Sequence, residues 1–177
     1  MMDRSEGRQP GAGSTDAPQR MARDDAGAHG SAAHAEGPRR SSSYVRVRYA
    51  ETDQMGVVYH ANYLVWCEIG RTDFIRALGT SYADLERQGL RLAVADAQAR
   101  FIAPARYDDE IRIETWVERV QSRTITFGYE IFRVDPGPEQ RLVRASTRLI
   151  ALDEKGAPRT LPTPVHDWFR SAAEPSS

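Results

Sequence analysis

Large apolar side chains are absent from the start of this chain and then arrive in ordered rows. Residues 1–43 contain no Ile, Leu, Val, Phe, Tyr or Trp; the first is Tyr44. A segment this poor in apolar groups cannot offset the entropy of ordering itself, so 1–43 is expected to be a disordered tail and 44–177 one folded domain. Val45, Val47 and Tyr49 alternate with Arg46 and Arg48, which predicts a half-buried strand. After a polar loop over 51–59, Tyr63, Trp66, Gly70, Phe74 and Ala77 recur at three- and four-residue steps and predict a helix over 60–78, stopped by Gly79. Gly70 costs about 1 kcal/mol inside a helix, so it is expected where the backbone lies close against a sheet. Residues 81–88 predict a short second helix.

The rest reads as strand after strand. Ala93, Ala95, Ala97, Ala99 and Phe101 share one side of a strand over 91–103, small residues suited to a helix packed nearby. Ile111, Ile113 and Val117 alternate with charges. Ile125, Phe127, Tyr129 and Ile131 mark the next strand, a turn follows at Asp135-Pro136-Gly137, and 141–152 gives the last. A proline-rich segment leads to a short helix over 165–170. A strand, the long helix, then four strands in hairpin-like succession give an α+β class: a five-stranded antiparallel sheet wrapped around one long central helix.

Composition removes several functions. The length of 177 residues suits one domain with a tail, and the net charge of −1 argues against nucleic acid or an anionic membrane as partner. The low mean hydropathy of −0.58 owes much to the tail. No apolar run approaches the roughly 20 residues of a membrane span, the tail lacks a signal-peptide core, and its acids speak against a transit peptide. The single cysteine, Cys67, leaves no intramolecular disulfide and no cysteine-rich metal site, and a reducing cytoplasm is the expected compartment. There is no G-x-S-x-G elbow, no Walker A or G-x-G-x-x-G loop, and no His/Cys pair with metal spacing. Neither metal nor organic cofactor is expected.

The stretch that stands out runs from Tyr49 to Tyr63, YAETDQMGVVYHANY, placing two acids, a glycine and a histidine between a strand and a helix start. Backbone N–H groups at a helix start are unsatisfied and point outward at the positive end of the dipole, which suits a developing oxyanion. Asp53 near the amides around His60 would face a polarised carbonyl as nucleophile or general base. On the residues alone, Asp53 as a turn or capping aspartate is the stronger reading.

The stretch from Val47 to Tyr63, followed by a helix containing Trp66, resembles the 4-hydroxybenzoyl-CoA thioesterase branch of the hotdog superfamily. It is most similar to the bacterial acyl-CoA thioesterases associated with the Tol-Pal cluster. The segments from Phe101 to Ile111 and from Ala145 to Asp153 extend the resemblance over about 44–165. It implies a hotdog fold and hydrolysis of an acyl-CoA to free acid and CoA. By that resemblance Asp53 is the catalytic carboxylate, the backbone N–H at His60 polarises the carbonyl, and the His60 side chain lines the site. Gly56, Tyr59 and Asn62 become candidate substrate contacts, and Arg123 a contact to CoA phosphates, although Gln121 and Ser122 depart from the basic run of the family. The resemblance also implies a homodimer or homotetramer with sites at the interface. An enzyme on acyl carrier protein thioesters and a non-catalytic hotdog assembly module are the alternatives.

Neighbouring residues take plainer readings. Glu51 is expected to be a solvated strand-end acid, Tyr63 a core residue, and Asn62 a cap or a contact. Glu68 sits where another hotdog branch carries its carboxylate, but pairing with Arg71 at i+3 accounts for it. Cys67 is expected as a small buried hydrophobe, and His166 has no partner motif.

Overall fold

The computed structural model describes residues 40–173. The predicted tail lies outside that range apart from 40–43, and three of those residues belong to the first strand, β1 (Ser41–Arg46). Ser43 Oγ donates to Asp73 Oδ2 at 2.8 Å, so folded structure starts before the first large apolar residue. A single 3₁₀ turn (Tyr49–Glu51) leads into the loop. Then come α1 (Ala61–Ala77), α2 (Tyr82–Arg87), β2 (Arg91–Phe101), β3 (Glu110–Val120), β4 (Thr124–Asp135), β5 (Gln140–Leu152) and α3 (Thr163–Ala172). No helix among the described residues is long and apolar enough to cross a membrane.

The five strands form one antiparallel sheet in the order β1-β3-β4-β5-β2. The expected hairpin succession holds only for β3-β4-β5. β1 already occupies the free edge of β3, so β2 is carried to the opposite edge beside β5. Side chains such as Ile113, Val117, Ile125, Phe127, Tyr129 and Leu149 fill the inner face and are buried. Phe74 and Phe169 meet Phe127 edge to face, with ring centroids 5.9 and 6.0 Å away.

Helix α1 buries Tyr63, Trp66, Cys67, Gly70, Arg71, Phe74 and Ile75; Ala77, expected on that face, is exposed. Gly70 allows the contact with β3. A Cβ there would overlap Thr115 Oγ1 and lie 2.9 Å from Ile113 Cγ2. The alanine row of β2 behaves otherwise. Ala95, Ala97 and Ala99 are exposed, because α1 packs on β1 and β3, away from that edge.

Candidate active site

The loop between β1 and α1 is fastened at both ends. Val47 N–H donates to Asp109 O at 3.0 Å and Val58 N–H to Ala105 O at 2.9 Å, tying it to the segment that enters β3. Between them the chain turns at Asp53. Its N–H bonds Val57 O, its carbonyl accepts from Gly56 N–H, both at 2.9 Å, and Met55 N–H donates to Oδ1 at 2.8 Å. Gly56 closes the turn at φ +71, a backbone conformation that side chains with a Cβ seldom adopt. Asp53 therefore fills the turn role its residue type favours. Its second oxygen, Oδ2, has no hydrogen-bond partner among the described residues.

His60 is the last residue before α1 and its side chain caps nothing. Among the described residues, no acceptor takes the N–H groups of His60 and Ala61, whereas Asn62 N–H bonds Tyr59 O at 2.9 Å and Tyr63 N–H bonds His60 O at 3.3 Å. Two outward donors thus stand at the positive end of a 17-residue helix. Beside them an apolar cleft of about 260 Å³ is lined by Val58, His60, Tyr63 and the run Phe101 to Pro104. The exposed His60 ring lies tilted against Tyr59, centroids 4.2 Å apart, and meets Phe101 edge to face at 6.5 Å. Tyr63 closes the floor: its hydroxyl accepts from Ala105 N–H at 2.9 Å, and burial pushes its phenol above the usual range.

The structure thus gathers Asp53 and Gly56 in one turn, and Tyr59, His60 and Asn62 at one helix start. Asp53 is not among the residues lining the cleft. Arg123 is not brought to the loop by its own chain. It sits in the turn after β3, and β3, 11 residues long, spans roughly 35 Å away from the loop's anchors at Ala105 and Asp109. Any shared site needs Arg123 from another copy.

Two expectations about acids are corrected. Glu51 is not solvated: it is 6% exposed, and its carboxylate accepts from Arg48 N–H at 2.7 Å, Arg48 Nη2 at 3.1 Å and Trp66 Nε1 at 3.2 Å. Burial alone would push this carboxyl up, but the Arg48 and Trp66 hydrogen bonds together outweigh it and hold the group below its ordinary value. Nor does Glu68 pair with Arg71. The guanidinium turns inward, 7% exposed, and donates to the Tyr82 hydroxyl and to Thr147 Oγ1 at 3.4 Å, while Glu68 stays at the surface. Cys67 is fully buried, and desolvation pushes its thiol up to about 12, leaving no thiolate for chemistry. Asn62 serves as a fastening, its Nδ2 donating to Glu51 O at 2.8 Å. Sequence reading missed the cleft lining of Phe101 and Ile102; their apolar character at a strand end, beside Pro104, was the available signal.

Comparison with known proteins bears on what this arrangement does. Residues 55–139 match the family model described as the thioesterase superfamily. The Bacillus subtilis protein YneP, named provisionally as an acyl-CoA thioesterase, is 38% identical over 72% of this chain and 91% of its own length. Escherichia coli YbgC, an acyl-CoA thioester hydrolase, is 31% identical over 71% of this chain and 92% of its own. Among solved structures, a DHNA-CoA thioesterase from Staphylococcus aureus superposes with a TM-score of 0.68 at 35% identity, covering 75% of this chain and 87% of that one.

Proposed function

This chain belongs to the thioesterase superfamily, and on that premise we propose that it hydrolyses acyl-CoA thioesters to a free acid and CoA. The observation that carries the reading is the pair of N–H groups at His60 and Ala61 that find no acceptor among the described residues, opening beside an apolar cleft at a helix start. A thioester carbonyl set there with its acyl group in the cleft has its oxygen facing two fixed donors. These stabilise the charge that develops when the carbon becomes tetrahedral. Asp53 supplies the carboxylate. Met55 N–H pins Oδ1, while Oδ2, without a partner among the described residues, is placed either to attack the carbon or to take a proton from the water that does. Collapse of the tetrahedral centre breaks the C–S bond and releases CoA as its thiolate; where Asp53 itself attacked, water then cleaves the acyl anhydride to free acid and restores the carboxylate. His60 lines the cleft mouth, and Gly56, Tyr59 and Asn62 shape the loop around the substrate.

The enzyme acts as a homodimer or homotetramer. β2 is an edge strand of 11 residues with Val94 53% and Phe101 50% exposed, an open ladder that a second copy would extend. Assembly would also bring the other copy's Arg123 toward the CoA phosphates. A lone, buried cysteine suits a reducing cytoplasm.

The test is purified protein against a panel of acyl-CoAs with a free-thiol readout. Cleavage of at least one member is expected, with Asp53→Asn close to inactive. No cleavage across aliphatic and aromatic acyl-CoAs, or full activity of Asp53→Asn, overturns the reading.

A further inference from the structure

We propose that Glu51 is a positioning residue for thioester cleavage, bracing the Asp53 turn against the start of α1; the inference rests on the site reading above. Five hydrogen bonds converge on this one residue. Three reach its carboxylate, from Arg48 N–H, Arg48 Nη2 and Trp66 Nε1. Two reach its carbonyl oxygen, from Tyr59 N–H at 2.9 Å and Asn62 Nδ2 at 2.8 Å. The donors come from the strand exit, from the return of the loop, and from the first two turns of α1. Asp53 leaves the chain two residues after Glu51, and His60 follows directly on Tyr59. Both halves of the site are therefore set by where Glu51 stands.

A loop needs no buried acid merely to turn. Asp, Asn and Gly accomplish that in water, and taking a carboxylate out of water is costly unless its acceptors are filled. Here the bonds span chain separations of three to fifteen residues, so they fix the helix start relative to the loop rather than the shape of one turn. Relative placement is what the chemistry depends on: a 1 Å displacement of a reacting group can cost about 100-fold in rate.

The experiment is a double-mutant cycle on an acyl-CoA that the wild type cleaves. Glu51→Gln keeps the size but turns one acceptor oxygen into an amide nitrogen, leaving at least one of the Arg48 and Trp66 donors unmatched. Trp66→Phe removes a single donor and keeps the ring. Glu51→Gln is expected to lower kcat roughly 10- to 100-fold, with KM changed less than about threefold, since loss falling on kcat alone marks interactions realised in the transition state. Trp66→Phe should move the same way by less. In an Asp53→Asn background, followed in single turnover, Glu51→Gln should add less than about threefold, because a group acting through Asp53 is not additive with it.

Unchanged kcat in both single variants, with only a lowered Tm, makes Glu51 a brace of the fold and overturns the inference. A full multiplicative loss in the Asp53→Asn background overturns it as well. If Glu51→Gln does not fold, Trp66→Phe alone and in the Asp53→Asn background decides. Retention of wild-type kcat by Asp53→Asn sinks the site reading itself. Loss in Asp53→Asn with no change in the Glu51 and Trp66 variants sinks only this inference.

Discussion

The loop from Glu51 to His60 and the strand β2 invert what their compositions suggest. The loop is polar and glycine-containing, yet its backbone is fastened to Ala105, to its own turn and to α1, and it surrounds a buried carboxylate. β2 carries Leu92, Val94, four alanines and Phe101, yet it lies at a sheet edge with most of its residues exposed. Hydropathy ranks the two regions one way, and the hydrogen-bond inventory ranks them the other. A polar segment fastened at both ends is set in place by its own chain, even with Asp53 Oδ2 and the His60 N–H left over, whereas an apolar strand with an open ladder awaits a partner. Chemistry is assigned to the first region and assembly to the second.

The strongest way to break this division is at Asp53. Asp53→Asn is expected to lower kcat by about 10²–10⁴-fold, the usual cost of losing a general base, without altering Tm or oligomer mass. Glu68→Gln, at an exposed acid on α1, should lose far less. Equal losses in the two variants would move the chemistry off the loop.

The second test addresses β2. Val94→Lys places a charge on an exposed edge position, which costs a single chain no more than about 0.5 kcal/mol but opposes strand pairing between copies. Light scattering should show a wild-type mass at least twice that of the 19.8 kDa chain and a shift toward single chains in the variant. A variant of unchanged mass would show that the edge is not the interface.

Gly70→Ala probes the packing beneath both regions. The added methyl meets Thr115 and Ile113, and overpacking of this kind costs about 1–3 kcal/mol, outweighing the better helix propensity of alanine. Thermal melts should show a fall of several degrees with KM little changed. A rise in Tm would mean that α1 can lift from the sheet at no cost.

The smallest effect is in pH. Glu51 is held below its unfolded value by Arg48 and Trp66 against the opposing effect of burial, so it binds protons less readily when folded. Its stabilisation is present above the ordinary carboxylate range and is lost as pH falls through the lower folded value. Urea midpoints measured on acidification should decline less steeply in Glu51→Gln than in the wild type.

What could be read in the sequence follows from how far each cause reaches along the chain. The bounds of α1 came within one residue because its buried face repeats every turn, and Gly70 was legible because glycine is costly inside a helix without a close neighbour. The partner of β2 was not legible: the alternation in 91–101 reports faces, while pairing with β5 rather than β3 follows from β1 having taken the nearer edge. Glu51 was misread because the residue that buries it, Trp66, lies fifteen positions on. The inward turn of Arg71 depends on hydroxyls at Tyr82 and Thr147 that no i+3 pattern contains. Asp53 read as a turn residue from its type alone and occupies one; the catalytic role assigned to it comes from the family.

The bond from Trp66 to Glu51 has an optical side. The emission colour of an indole follows the charge and solvent around its ring, and Trp66 is buried with a carboxylate on its N–H, so the joint between loop and helix carries its own lamp. With Trp116 and Trp168 replaced by phenylalanine, the colour of the remaining emission would follow the seating of the loop on α1 during turnover, without any attached dye.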